Sequence, residues 1–178
     1  MSTQLKEKIN ISVDYLTNLN EVDLADLCNI TEQAISAGGG FGWLRVPTRE
    51  ILNQYWNKIT EDKLSNLVVG RLNGVIAGTL QLSYEEPNVE SRKNIAQIKR
   101  HFVAPWARGY GLAKSMIDFS EQKAKEDNIK SIQLAVRETQ DAAVKLFIGK
   151  NYEIWGENPY YAIVNGSFVK GIYFFKNL

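Results

Sequence analysis

Cysteine and histidine are almost missing from this 178-residue chain, which has one of each, Cys28 and His101. One cysteine excludes an internal disulfide framework and a cysteine-built zinc site. One histidine excludes a histidine-rich metal centre and ties any histidine-dependent triad to position 101, so no metal site is expected. An excess of charge is missing too. Lys and Arg number 21 against 20 Asp and Glu, a net charge of +1, without the basic footprint of a protein that works on nucleic acid or an anionic membrane. Long apolar runs are absent: the stretch 67–82 is broken by Arg71, Asn73 and three glycines, which excludes a membrane-spanning helix there. The opening residues carry Lys6, Glu7 and Lys8 where a signal peptide would be apolar, so a cytoplasmic protein is expected.

What is present is an ordinary globular composition, 44% hydrophobic and 23% charged. A chain of this length buries roughly two-thirds or more of its unfolded surface and needs no covalent staple. No repeat, linker or low-complexity tract divides it, so one domain over residues 1–178 is expected.

Periodicity predicts the elements. Ile9 to Val13 alternates as a short strand, and Val22, Leu24, Leu27, Ile30 and Ile35 follow helical spacing behind Asn20 as N-cap. Gly38-Gly39-Gly40 stops that helix, and Thr48 caps a second one carrying Ile51, Tyr55, Trp56 and Ile59. Asn73-Gly74 joins 66–71 and 75–84 as a hairpin. A polar loop with Pro87 follows, then a strand over 95–103, a helix over 109–125, a strand over 131–136, a helix over 140–150 and a strand over 152–155. After a turn at Asn165-Gly166, a last strand covers 169–175. The order is β-α-α-β-β-β-α-β-α-β-β, a mixed α/β domain around one sheet.

The stretch from Val103 to Met116 carries chemistry. Arg108-Gly109-Tyr110-Gly111-Leu112-Ala113-Lys114 opens a helix just after a strand that ends at Pro105. Its glycines admit close backbone approach, and the free N–H groups of a first helical turn bind a phosphate or pyrophosphate.

With Arg108, Gly111 and Ala113 in the spacing Q/R-x-x-G-x-G/A, after Val103 and Pro105, this stretch resembles the acetyl-coenzyme A loop of the GNAT superfamily of N-acetyltransferases. Gln140, Ala143, Leu146 and Phe147 resemble a later helix of that superfamily, and Asn151-Tyr152 stands where Gly-Phe is usual. A narrower resemblance is to the tabtoxin resistance protein group, through Gly38 to Leu44, Gln81-Leu82-Ser83 and Gly156 to Tyr161. The resemblance implies a twisted central sheet of about six or seven strands with about four flanking helices. It implies acetyl transfer from acetyl-CoA directly to the amine of a small molecule, an antibiotic, a toxin or an amino-acid-like metabolite, by a monomer or homodimer. Transfer to a protein N-terminus or lysine, and a non-catalytic acyl-CoA sensor, are the alternatives.

The resemblance also implies roles. Phe102 and Val103 would pair with pantetheine, and the Val103 N–H would polarise the acetyl carbonyl. Gly109, Tyr110, Gly111, Leu112 and Ala113 would cradle the pyrophosphate, with Arg108 and Lys114 adding charge and Gln140 nearby. Strand period places Gln97, Lys99, His101 and Val103 on one face. The resemblance turns that face toward the acceptor, which makes His101 the candidate base. Gln97 replaces a glutamate that many members carry, leaving Glu86 or Glu157 to relay through water. Phe147 replaces a tyrosine acid, so Tyr161, Tyr160 or Tyr110 substitutes, Tyr161 first, or the thiolate leaves unprotonated. Phe41, Trp43, Gln81, Lys99 and Glu157 are the candidate acceptor-pocket residues.

Overall fold

The computed structural model describes residues 9–39 and 41–178; the polar opening 1–8 and Gly40 of the glycine run lie outside the described residues. Strand β1 (Ile11–Tyr15) leads into helix α1 (Glu21–Ser36). As the sequence predicts, Asn20 caps α1, its side-chain oxygen accepting the Asp23 N–H at 2.8 Å, a bond of a kind that contributes about 1 kcal/mol. Helix α2 (Arg49–Thr60) starts at Thr48 and buries Leu52, Trp56 and Ile59. Trp56 is fully buried, and its Nε1 donates to Thr31 Oγ1 at 3.1 Å, which pins α2 to α1 without leaving the indole unsatisfied.

The remaining elements are β2 (Ser65–Leu72), β3 (Val75–Tyr84), β4 (Ile95–Val103), α3 (Leu112–Glu126), β5 (Ser131–Arg137), α4 (Asp141–Gly149), β6 (Glu153–Val164) and β7 (Ser167–Asn177). All seven strands form one sheet in the order β1-β2-β3-β4-β5-β7-β6. Only β4 and β5 run parallel. Helix α3 covers β1 to β4 from one face, while α1 covers β3 and β4 and α2 covers β2 from the other. The element order is the expected one. Both hairpin turns use Asn-Gly in the left-handed region, φ 49° and 87° at Asn73-Gly74 and 49° and 79° at Asn165-Gly166, as a tight two-residue hairpin requires.

Several boundaries differ from the sequence reading, and α3 begins at Leu112 rather than at 109 because Gly109 and Gly111 are left-handed. β1 lies two residues later because its ladder with β2 runs from Ile11 opposite Leu72 to Tyr15 opposite Val68. β6 reaches Val164 rather than stopping at Trp155, and β7 is longer to match. Pro159 hid that continuation, yet β6 is an edge strand and tolerates the missing N–H within an irregularity between Asn158 and Ala162. No described helix is long and apolar enough to cross a membrane.

Candidate active site

β4 and β5 are bonded only from Ile95 opposite Ser131 to Gln97 opposite Gln133. Beyond that pair β4 continues to Val103 and β5 to Arg137 without a ladder between them, so a gap opens in the middle of the sheet. A cleft of about 380 Å³ occupies this region. Gln97, Ile98, Lys99 and Arg100 line its β4 side, and Gln133, Leu134 and Ala135 its β5 side. Trp155, Tyr161 and Tyr173 close it from the β6–β7 hairpin.

One extra residue in β4 sets the direction of its side chains. β3 pairs Gln81 with Lys99 but Thr79 with Phe102, two residues against three. Such a bulge reverses side-chain alternation beyond it. The extra turn is made at Arg100, whose φ is 51°, a left-handed conformation that costs a non-glycine residue about 1–2 kcal/mol. Its surroundings hold it there. Thr79 Oγ1 donates to the Arg100 carbonyl at 2.8 Å, and the guanidinium donates to Tyr55 Oη and to Gln81 Oε1. The same guanidinium lies over the Tyr55 ring, 5.4 Å from its centroid.

The bulge corrects the single-face expectation. Gln97 and Lys99 line the cleft, but His101 and Val103 turn to the α3 side. A Cβ built at Gly78 would meet both Val103 Cγ2 and Met116 Cε of α3. His101 packs edge-on against Phe147 of α4, ring centroids 5.5 Å apart, and its Nε2 is buried with no hydrogen-bond partner among the described residues. Burial pushes its pKa from the ordinary 6.5 down to about 4, the Ala113 backbone offsetting only part of the effect. The Val103 backbone keeps its direction despite the bulge. The Ala104 N–H donates to Ala77 of β3 at 2.8 Å. Strand alternation therefore aims the preceding N–H, that of Val103, away from β3 and into the gap.

Other expected residues divide in the same way. Tyr161 lies at the cleft, its ring against Gly171, where an added Cβ would sit 2.3 Å from Tyr161 Cγ, and 6.0 Å from the Tyr173 ring. Burial raises its pKa above the usual phenol value, the Tyr173 hydroxyl adds to that, and Arg137 offsets part. Tyr160 stands out in solvent against Phe168, and Tyr110 joins Trp106, Ile9 and Val75 in a separate groove beside the β2–β3 turn. Phe41 and Trp43 form a wall: Phe41 is buried against Phe102 at 4.8 Å, and Trp43 against Tyr55 at 4.7 Å.

Three of the expected residues have other duties. Both ends of the Gln81 amide are used, accepting from Arg100 and donating to Ser65 Oγ, so it supports the bulge rather than offering a free ligand. Gln140 donates to the Gly38 carbonyl at 3.0 Å and ties the glycine turn to α4. Glu157 is in register with buried Ile172, not with cleft-lining Tyr173, and bonds Lys170 at 2.9 Å. Glu86 is exposed past the Ser83–Gln97 pair. Arg100, Arg137, Trp155 and Tyr173 escaped the sequence reading. Alternation along β5 offered a signal for Arg137, which shares the half-buried parity of Gln133 and Ala135. Nothing in the sequence signals a left-handed arginine at position 100.

At the end of the gap lies the glycine loop. Gly109 and Gly111 have φ 86° and 81°, and Gly111 caps α3 without any side-chain bond. No N–H from Gly109 to Lys114 has an acceptor among the described residues. Leu112 is buried and anchors the turn, while Arg108 and Lys114 are exposed beside it. A row of free donors at a helix N-terminus suits a pyrophosphate, and the strand edges flanking the gap suit an extended chain that carries amides.

Known proteins agree with this geometry. Residues 26–149 match the model of the acetyltransferase (GNAT) family. An uncharacterized N-acetyltransferase from the hisH-hisA intergenic region of Azospirillum brasilense is 41% identical over 131 residues, 74% of this chain and 78% of that protein. An N-acetyltransferase from Staphylococcus aureus Mu50 superposes with a TM-score of 0.79 at 15% identity, covering 94% of this chain and 98% of that one. YncA of Salmonella typhimurium, a putative acetyltransferase solved with its cofactor acetyl-CoA, superposes at 0.74 with 12% identity and 94% of each chain covered. With the family model matched over residues 26–149 and a relative 41% identical, the chain belongs to the GNAT family of N-acetyltransferases.

Proposed function

We propose that the chain, acting as one domain, moves the acetyl group of acetyl-CoA directly to the amine of a small molecule held in the β4–β5 cleft. The observation that carries this reading is the gap between β4 and β5, which runs onto the unbonded N–H groups of Gly109 to Lys114. The donors fit a pyrophosphate, and Arg108 and Lys114 add positive charge beside them. Phe102 and Val103 offer their backbone edge to the pantetheine arm. Acetyl-CoA supplies an acetyl group already activated as a thioester. The Val103 N–H, fixed by the strand and aimed into the gap, stabilises negative charge on a carbonyl oxygen placed there.

The acceptor must reach the site as a free amine. Gln97 takes no proton, and His101 faces α3, so neither is assigned as base. Lys99 and Arg100 do that work through their field: like charge lowers the pKa of a nearby ammonium and raises the fraction of neutral amine, whose proton passes to water. Tyr161, a phenol that is protonated at neutral pH and whose pKa burial raises further, is the donor to the leaving thiolate. A nitrogen–carbon bond forms as the carbon–sulfur bond breaks, and the proton that the nitrogen sheds passes through water and restores the Tyr161 phenol.

The narrower likeness to the tabtoxin resistance protein group and a cytoplasmic setting belong to the same reading; cell fractionation tests the latter. The acetyl-transfer test is thiol release from acetyl-CoA over an amine panel that includes ribosomal N-terminal peptides. Turnover with small amines and none with peptides supports the reading. Tight acetyl-CoA binding without turnover on anything would identify a sensor instead.

A further inference from the structure

The acceptor cleft is cationic and contains no carboxylate. Lys99 and Arg100 line it from β4. Arg137 ends β5 on the same parity as cleft-lining Gln133 and Ala135, and lies close enough to Tyr161 to influence its ionisation. None of these three forms a salt bridge among the described residues. Their protein partners are neutral oxygens: Arg100 meets the Tyr55 hydroxyl and the Gln81 amide, and Arg137 donates to the Phe41 carbonyl. The oxygens of Asp62 accept from Ser65 Oγ at 2.8 Å and from the Leu64 N–H at 3.0 Å, bonds that lower its pKa, and it lies near enough for Lys99 and Arg100 to help lower it, but it is not among the cleft-lining residues.

Cations gathered in a cleft whose lining holds no carboxylate repel one another, and the fold spends a left-handed backbone residue to put one of them there. An anionic ligand relieves that repulsion, and planar guanidinium groups suit a carboxylate. The phosphates of acetyl-CoA do not explain the cluster, because their donors lie beyond Val103 at the α3 N-terminus. Aromatic surface surrounds the cations: Trp155 and Tyr173 within the cleft, and Tyr55 under Arg100.

We infer that the acceptor is an amine that also carries a carboxylate, an amino-acid-like small molecule with an apolar or aromatic side chain, its anion held by Arg100, Arg137 and Lys99. The inference rests on the acetyl-transfer reading and adds its substrate class. It excludes polyamines, aminoglycoside-type polycations and basic peptides, which the same three cations repel. The carboxylate also offsets part of the field that keeps the amine neutral, so it must bind at the arginines while the amine lies nearer the Val103 N–H.

The test uses the full chain with saturating acetyl-CoA and matched acceptor sets: methionine, phenylalanine and tyrosine, their carboxamides, and the amines left when each loses its carboxylate. At least one set is expected to show kcat/KM higher by about ten-fold or more for the acid than for its carboxamide or its amine. Arg137→Gln and Lys99→Met each raise KM for that acid, lower kcat less, and shrink the preference, while the KM for acetyl-CoA stays put. Equal use of acids and their decarboxylated amines, or faster transfer to spermidine, overturns the inference and leaves acetyl transfer standing. No transfer to any acid, with acetyl-CoA shown to bind, also overturns it. Failure of acetyl-CoA to bind the folded chain overturns the underlying reading instead.

Discussion

In the loop between β4 and α3 the useful groups are backbone N–H donors, set free by two left-handed glycines and an uncapped helix start. In the cleft beside it they are side chains, aimed by a one-residue bulge and held by partners from β3 and α2. A site made of backbone depends on local conformation, which glycine spacing encodes directly. A site made of side chains depends on register, and a single added residue reverses every direction downstream. The two regions should therefore fail differently when altered.

The largest effect is expected in the loop. Gly111→Val puts a β-branched residue at φ 81° and a side chain over the free donors; acetyl-CoA affinity should fall by about 100-fold or more, at roughly the 1–2 kcal/mol in stability that left-handed strain costs. Calorimetric titration with acetyl-CoA checks this, and unchanged affinity would separate the loop from the coenzyme. In the cleft, Arg100→Gly keeps a residue that accepts φ 51° while removing the side chain, its guanidinium and its bonds to Tyr55 and Gln81. Its kcat/KM for a carboxylate-bearing acceptor should drop roughly ten- to hundred-fold with acetyl-CoA binding intact. An equal drop for amines without a carboxylate would mean that Arg100 acts through the fold or through its field on the amine and not on the anion.

Tyr161→Phe probes the acid alone. Its kcat is expected to fall about ten-fold while both KM values hold, and the high-pH limb of the rate profile should disappear. A variant with the wild-type profile would assign the thiolate's proton to water. The smallest catalytic effect belongs to His101→Phe, which should stay within about two-fold of the wild-type rate because the imidazole faces α3 and not the cleft. Its signature lies in stability. The folded pKa of His101 is depressed, so the unfolded chain takes up the proton first as pH falls, and wild type loses stability between pH 6.5 and about 4. Thermal melts across that window should show the slope in wild type and a shallower one in the variant; parallel slopes would contradict the burial of this group.

Most of the fold was legible because its signals are local. Asn20 and Thr48 cap the helices they were expected to cap, and Asn73-Gly74 and Asn165-Gly166 turn the hairpins they were expected to turn. The reach of β6 was not legible, since Pro159 reads as an end unless the strand is known to lie at an edge. The turn before α3, with its two left-handed glycines and unbonded N–H groups, was legible by its glycines. The cleft was only half so: Lys99 and Tyr161 lie there, but the period-two reading carried His101 onto the wrong face because it ran through the bulge at Arg100. The partners that stabilise that bulge come from Thr79, Gln81 and Tyr55, far away in sequence, and no window around position 100 contains them.

The most direct measurement is the thermal midpoint of the full chain with acetyl-CoA, with free CoA and with ATP. Ligand at about 100 times its dissociation constant stabilises the native state by roughly 2.7 kcal/mol. The parted strands and free donors predict a clear rise with acetyl-CoA and with CoA, and little with ATP, which lacks the pantetheine arm that the gap accommodates. A folded protein whose midpoint ignores acetyl-CoA, or responds equally to ATP, would contradict the assignment of the gap and its glycine loop as one coenzyme site.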